Sequence, residues 1–211
     1  MRVLMFNYEY PPLGGGAANA TACLLAEYAR KANLQIDLVA SSHDTARTER
    51  LGPGITGYFL NIGKTGSLHH QSSAHLLRYS WRAVQTARRL VRQHSYDLCH
   101  AFFGIPCGVV ASWLPMPYIV SLRGSDVPFY NPRFRLADRL VFRHVSPYVW
   151  RHAAAVVANS DGLRALALQT APEQSIDVIP NGVDTDRFRP GPGGDDTLEI
   201  LCVARLTVRK H

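Results

Sequence analysis

RVLMFNYEYPPLGGGAANATACLLAEYARKA, residues 2–32, opens on a short apolar run and closes on a helical one. RVLMFN (2–7) has the continuous apolar character of a strand buried on both faces. Residues 16–32 repeat their apolar positions with a helical period. Between the two, Pro11 and Pro12 lead into three consecutive glycines, Gly14, Gly15 and Gly16. Ordering three glycines costs conformational entropy, so the join needs a physical reason. A helix amino terminus offers unpaired N–H groups and partial positive charge, and glycines let a phosphate approach that backbone closely. A plain flexible turn is the alternative.

The same alternation continues along the chain. Strand-like runs at 34–40, 54–62, 96–102, 117–122, 153–160 and 175–180 are separated by helical patterns at 72–94, 104–114, 135–151 and 161–170. Short apolar strands alternating with helices predict an α/β fold with a doubly wound, mainly parallel, Rossmann-like sheet. Ligands of such sheets bind beyond the carboxyl ends of the strands. The loops at 8–16, 41–53, 100–106, 122–133, 159–162 and 181–187 are therefore the places to look. After 190 the composition shifts to GPGGDD and then to a fresh strand pattern, TLEILCVARL. The expected organisation is a domain over 1–190, a linker at 191–197, and the first strand of a second domain at 198–211.

Composition narrows the classes. The chain has 211 residues, 46% hydrophobic and 18% charged, which is long enough and apolar enough for a sizeable core. Met1 leads directly into a strand pattern rather than a secretory signal, and no apolar run has the length of a bilayer span. Cys23, Cys99, Cys107 and Cys202 are scattered without metal-ligand spacing, so no structural metal is expected and a reducing, cytoplasmic setting fits. The net charge is +7, and only three of the 23 basic residues are lysine. Arginine in that proportion suits phosphate or carboxylate partners. On the 72–94 helix, Arg78, Arg82, Gln85, Arg89 and Arg92 share one face, opposite Leu76, Ala83, Ala87 and Leu90. That face is either solvated or a peripheral contact with an anionic membrane.

Several loops carry chemistry. GGGAAN is neither GxGxxG, since Asn19 stands where the third glycine would be, nor a P-loop. Asp37 lies at the distance a dinucleotide ribose would want, yet inside a strand, which keeps a dinucleotide-dependent oxidoreductase open as an alternative. A non-catalytic binding module using the basic helix is another. In SLRGSDVPFYN (121–131), Arg123 and Asp126 follow a strand end. The arginine suits a phosphate or sugar hydroxyls and the carboxylate a hydroxyl proton, or the two brace the loop against each other. Ser160 or Asp161 caps the helix that follows. Asn181-Gly182 makes a tight turn before Asp184 and Phe188, and Arg205 and Lys210 follow the last strand pattern.

Taken in order, PPLGGGA (11–17), DLCHAF (97–102), LRGSDV (122–127), ANSDGLR (158–164), IPNGVDTDRF (179–188) and ARLTVRK (204–210) resemble the N-terminal half of GT-B retaining glycosyltransferases of family 4, the glycosyl transferases group 1. The resemblance covers essentially the whole chain. It implies an acceptor-side domain facing a donor-binding domain across a cleft, with sugar moved from a nucleotide-sugar to an acceptor. Gly15, Gly16, Arg205 and Lys210 would meet the donor diphosphate. Arg123 and Asp126 would stand at the catalytic centre, and Asn19, His100, Ser160, Asn181 and Asp184 near acceptor or substrate. No metal is expected, because cations and a helix terminus stabilise the departing diphosphate, and no nucleic acid partner is expected. Many members have histidine where this chain has Arg123. Arginine cannot serve as a base, so binding rather than proton transfer is expected there.

Overall fold

The computed structural model describes residues 1–64, 66, 68 and 71–190. The chain forms one compact unit over Met1–Asn181 and a second unit over Gly182–His211. The expected linker at 191–197, the strand at 198–211, Cys202, Arg205 and Lys210 lie outside the described residues.

The first unit is an eight-stranded sheet in the order β3-β4-β2-β1-β5-β6-β7-β8. Its strands are β1 (Arg2–Phe6), β2 (Gln35–Ser42), β3 (Arg47–Gly52), β4 (Ile55–Asn61), β5 (Leu98–Phe102), β6 (Tyr118–Leu122), β7 (Ala155–Ala158) and β8 (Asp177–Val178). All neighbours pair in parallel except β3 with β4. β1 is central, and Leu4, Met5 and Phe6 are wholly buried, as a strand covered on both faces requires. The order moves one way from β1 to β2 and the other way from β4 to β5. Right-handed crossovers therefore put α1 (Gly16–Tyr28) and α2 (Ser73–Gln93) on opposite faces. The contacts agree. Asn7 bonds Thr21 of α1 at 2.6 Å, and the Tyr79 hydroxyl of α2 donates to the Val39 carbonyl at 2.9 Å.

The helices follow from their sequences. α2 buries Ala83, Ala87 and Leu90 of the stripe predicted for its inner face, together with Tyr79 and Val84, and leaves Leu76 half-buried; Ser72 caps the helix by accepting the His75 N–H at 3.2 Å. α3 (Val109–Ser112) follows a wide turn at Gly104–Gly108. A helical run over 135–151 contains a widened turn at Asp138–Phe142 and ends in α4 (Arg143–Arg151). Ser160 caps α5 (Asp161–Thr170), accepting the Leu163 N–H at 3.3 Å.

Two expectations need correction. The loop expected at 41–53 contains β3, which folds back on β4 as an antiparallel edge. Gly54 makes the turn possible: its φ is +69°, and a Cβ there would come within 2.5 Å of the Leu34 carbonyl oxygen. The exposed Thr48, Glu49 and Arg50 keep that edge polar. The first helix stops at Tyr28 rather than 32. The N–H groups of Arg30 and Lys31 turn to the Glu27 and Tyr28 carbonyls, which tightens and ends the last turn.

Candidate functional site

The loops after β1, β5, β6, β7 and β8 meet at the carboxyl edge of the sheet. The first runs from Asn7 to α1. Asn7 is fully buried, and besides Thr21 its side chain accepts the Glu9 N–H at 2.9 Å. The loop is thus tied to the helix it feeds. Gly14 has φ +93°, a conformation that L side chains rarely adopt. Gly15 is the N-cap of α1 without a side-chain cap, and its N–H points to Glu9 Oε2 at 3.3 Å. Nothing lies within 4 Å of a Cβ built on Gly16, so the amino end of α1 is open there. Lys64 is nearly buried; burial pushes its ammonium pKa down, and the Glu9 carboxylate works against that shift. Glu9 and Lys64 were not singled out from the sequence.

Arg123 follows β6. Its guanidinium lies 4.1 Å from the Phe102 ring centroid, and its Nη1 donates to Asn181 Oδ1 at 2.7 Å. Its Nε is buried and has no hydrogen-bond partner among the described residues. Burial lowers the Arg123 pKa and the nearby Asp126 carboxylate offsets this, so the side chain keeps its charge. Asp126 points elsewhere. One carboxylate oxygen accepts the Gly104 N–H at 2.7 Å, and the other accepts the N–H groups of Arg123 and Gly124, each at 2.9 Å. Burial raises the Asp126 pKa and these amides pull it back. The carboxylate holds the loops after β5 and β6 together, so the geometry gives it a positioning part. The two residues do brace each other, through the Arg123 backbone and not its side chain.

Two backbone outliers flank this brace. Phe103 has φ +74° and Phe129 φ +67°, both left-handed without being glycine. Each is held next to a buried carboxylate: Asp126 binds the N–H after Phe103, and Asp138 accepts the N–H of Phe129 at 3.0 Å. Tyr8 bridges the first loop to the one after β5, with its ring 4.7 Å from that of Phe103. No periodicity in the sequence marks these residues.

His100 is buried on the same side of the sheet as Arg123. Its Nε2 lies 2.8 Å from Ser121 Oγ and its ring 4.7 Å from that of Phe102. Burial, helped by the Arg123 charge, pushes its pKa down to about 3, so the ring is neutral at physiological pH. Beside Arg123, a hollow of about 380 Å³ is lined by Tyr130, Asn159, Ser160 and Leu163. A larger hollow of about 640 Å³ lies at the opposite, amino edge, between Met1, Gln35 and Asp97, away from all these loops.

The remaining positions divide. Asn19 is exposed on α1, and its N–H bonds the Gly15 carbonyl. Asp184 belongs to the second unit, where Oδ1 accepts the N–H groups of Asp186 and Arg187 at 3.0 Å each and shapes a local turn. The structure thus brings Arg123, Asp126, His100, Ser160 and Asn181 to one region of the carboxyl edge, with Gly15 and Gly16 at the end of α1. Among the described residues no group of His, Cys, Asp or Glu is arranged to hold a metal. Asp37 is occupied far from this edge: Arg2 Nη2 reaches it at 2.7 Å and the Tyr96 hydroxyl at 2.6 Å.

Residues 14–187 match the family model described as Glycosyltransferase Family 4. No curated protein matches the chain by sequence. Among solved structures it is similar to sucrose-phosphate synthase from Thermosynechococcus elongatus, with a TM-score of 0.68 at 15% identity over 90% of this chain and 50% of that one. It is also similar to the catalytic domain of Starch Synthase IV from Arabidopsis thaliana bound to ADP and acarbose, with a TM-score of 0.58 at 12% identity over 88% and 52%. UDP-GlcNAc 2-epimerase from Methanocaldococcus jannaschii gives 0.51 at 13% over 86% and 46%. At these identities the likeness is one of fold, and this chain spans about half the length of each.

Proposed function

The chain belongs to glycosyltransferase family 4, and on that premise we propose that it is the acceptor-side half of an enzyme that moves a sugar from a nucleotide-sugar to an acceptor, with retention and without a metal ion. In this reading residues 1–190 form the acceptor-side domain, 191–197 the linker, and 198–211 the start of the donor-binding domain. The observation that carries the proposal is the carboxyl edge, where the open amino end of α1 at Gly16 and the cation of Arg123 belong to the same set of strand-end loops.

The parts have distinct work. The amides and partial positive charge at the start of α1 face the donor diphosphate, and Arg205 and Lys210 supply charge from the other half. Arg123 binds substrate oxygens as a permanent cation held in place by Phe102 and Asn181. His100, neutral and bonded to Ser121, supports Phe102 and adds no second positive charge beside Arg123. Asp126 positions both loops through their amides. An oxidoreductase reading is not favoured, since Asp37 is bound up with Arg2 and Tyr96 at the amino side of its strand.

A screen of nucleotide-sugars with the full-length protein tests this, with product anomer read by NMR and turnover measured with and without chelator. Retained configuration and chelator-insensitive turnover are expected. Inverted product or abolished turnover in chelator overturns the corresponding part.

A further inference from the structure

On the sheet face away from α1, α2 and the 135–151 run flank the segment 104–112. The Tyr79 hydroxyl of α2 lies 3.7 Å from Cys107 Sγ, and Val149 of α4 packs so closely on Gly108 that an added Cβ would come within 2.7 Å of it. The inner sides of both helices are buried. Their outer sides carry large apolar groups in water: Leu77 and Trp81 on α2 are 71% and 68% exposed, and Leu136 and Leu140 on the other run are 72% and 66% exposed, with Val141 and Tyr148 beyond them. Each pair is four residues apart, so its members are neighbours on one helix face. Single exposed apolar residues need no explanation, but paired ones on two helices that flank one segment do.

Arginines interleave with them. Arg78, Arg82, Arg88, Arg89 and Arg92 on α2, and Arg135, Arg139, Arg143 and Arg151 on the other run, are all exposed. α2 contains no Asp or Glu. The only acid in 135–151 is Asp138, which is buried and bonded to the Phe129 amide. None of the ion pairs among the described residues uses any of these arginines.

We propose that this two-helix face docks on an anionic lipid bilayer, with Leu77, Trp81, Leu136 and Leu140 entering the headgroup–acyl boundary and the arginines meeting lipid phosphates. The mixture selects the partner. Aliphatic side chains have no use along a nucleic-acid backbone, and charged groups are depleted from the core of a protein interface, whereas here they interleave throughout. A tryptophan beside leucines, ringed by arginines, is the composition of an interfacial helix. Among the described residues no helix is long and apolar enough to cross a membrane, so the contact is peripheral.

Co-sedimentation of the full-length protein with vesicles tests the proposal, using phosphatidylcholine alone against phosphatidylcholine mixed with phosphatidylglycerol. Binding at least about tenfold tighter to the anionic vesicles, weakened between ~0.1 M and ~0.5 M salt, is expected. The double variants Leu77→Ser/Trp81→Ser and Leu136→Ser/Leu140→Ser alter exposed positions, so their melting should match the parent, and each should lower vesicle binding about tenfold. No preference for anionic vesicles, or no loss in either variant, overturns the proposal. Loss in only one variant overturns the two-helix surface. Self-association without lipid that these substitutions abolish assigns the face to a second copy and overturns it as well. Vesicle binding is read without sugar transfer, so its failure and that of the transferase reading are separate results.

Discussion

Arg123 sits over Phe102, its guanidinium carbon 4.1 Å from the ring centroid, while Nη1 donates to Asn181 Oδ1 at 2.7 Å. The cation is covered by an aromatic ring and tied to the segment after β8, where Asn181-Gly182 forms no turn, contrary to expectation. On the proposed reading Arg123→Ala loses a charged hydrogen bond to substrate, worth about 1.5–3 kcal/mol, and should raise the acceptor KM of the full-length enzyme by about tenfold or more. Arg123→Lys, which keeps charge but loses the planar fork, should recover only part of that. Steady-state kinetics with varied acceptor decides it; an unchanged KM in Arg123→Ala removes Arg123 from the binding site.

Gly14 and Gly16 should answer differently to the same change. Gly14→Ala forces a side chain into φ +93° and should cost about 1–2 kcal/mol, read as a lower Tm. Gly16→Ala meets open space on a helix and should leave Tm level or higher. Gly16→Phe should fold equally well but weaken nucleotide-sugar binding. Undiminished binding by Gly16→Phe, measured by calorimetry, would mean that no phosphate approaches this helix end.

His100 sets a pH dependence. Its folded pKa is depressed to about 3 from an ordinary 6.5, because burial and Arg123 oppose its charging. The unfolded chain binds the extra proton first, so stability is lost as pH falls below about 6.5, at up to about 1.4 kcal/mol per pH unit. Asp126 has the opposite sign. Its raised pKa favours the fold as pH drops through the carboxylate range, so the His100 slope is cleanest above that range. Denaturant titrations from pH 7 to about 5 should show the slope in the parent and a flatter line in His100→Asn.

Asp37 should matter for folding alone. Asp37→Asn weakens its bonds with Arg2 and Tyr96 and should destabilise by about 1.5–3 kcal/mol while leaving nucleotide-sugar affinity unchanged. Tighter binding of NAD than of any nucleotide-sugar, lost in this variant, would restore the dinucleotide reading.

The sequence carried the parallel sheet because buried strands and amphipathic helices write themselves as period and composition. Val3 to Phe6 and the stripe of Ala83, Ala87 and Leu90 were legible for that reason. β3 was not, since a polar edge strand such as RTERLG lacks both signals and forms only because Gly54 lets the chain turn back onto β4. At the site, Arg123 and His100 stood out as residue types at strand ends. Their settings did not. The Phe102 stack, the Ser121 partner and the turn of Asp126 toward three amides depend on contacts between loops far apart in sequence. Glu9 was missed because nothing local marks a carboxylate that folds back over a glycine turn.

That folded-back carboxylate changes how the end of α1 receives a ligand. The Gly15 amide already meets Glu9 Oε2 at 3.3 Å, so on the proposed reading a diphosphate approaching that amide trades places with an acid. The carboxylate offsets part of the positive field at this helix end, and an anion that takes its place inherits the cations around it, Lys64 among them.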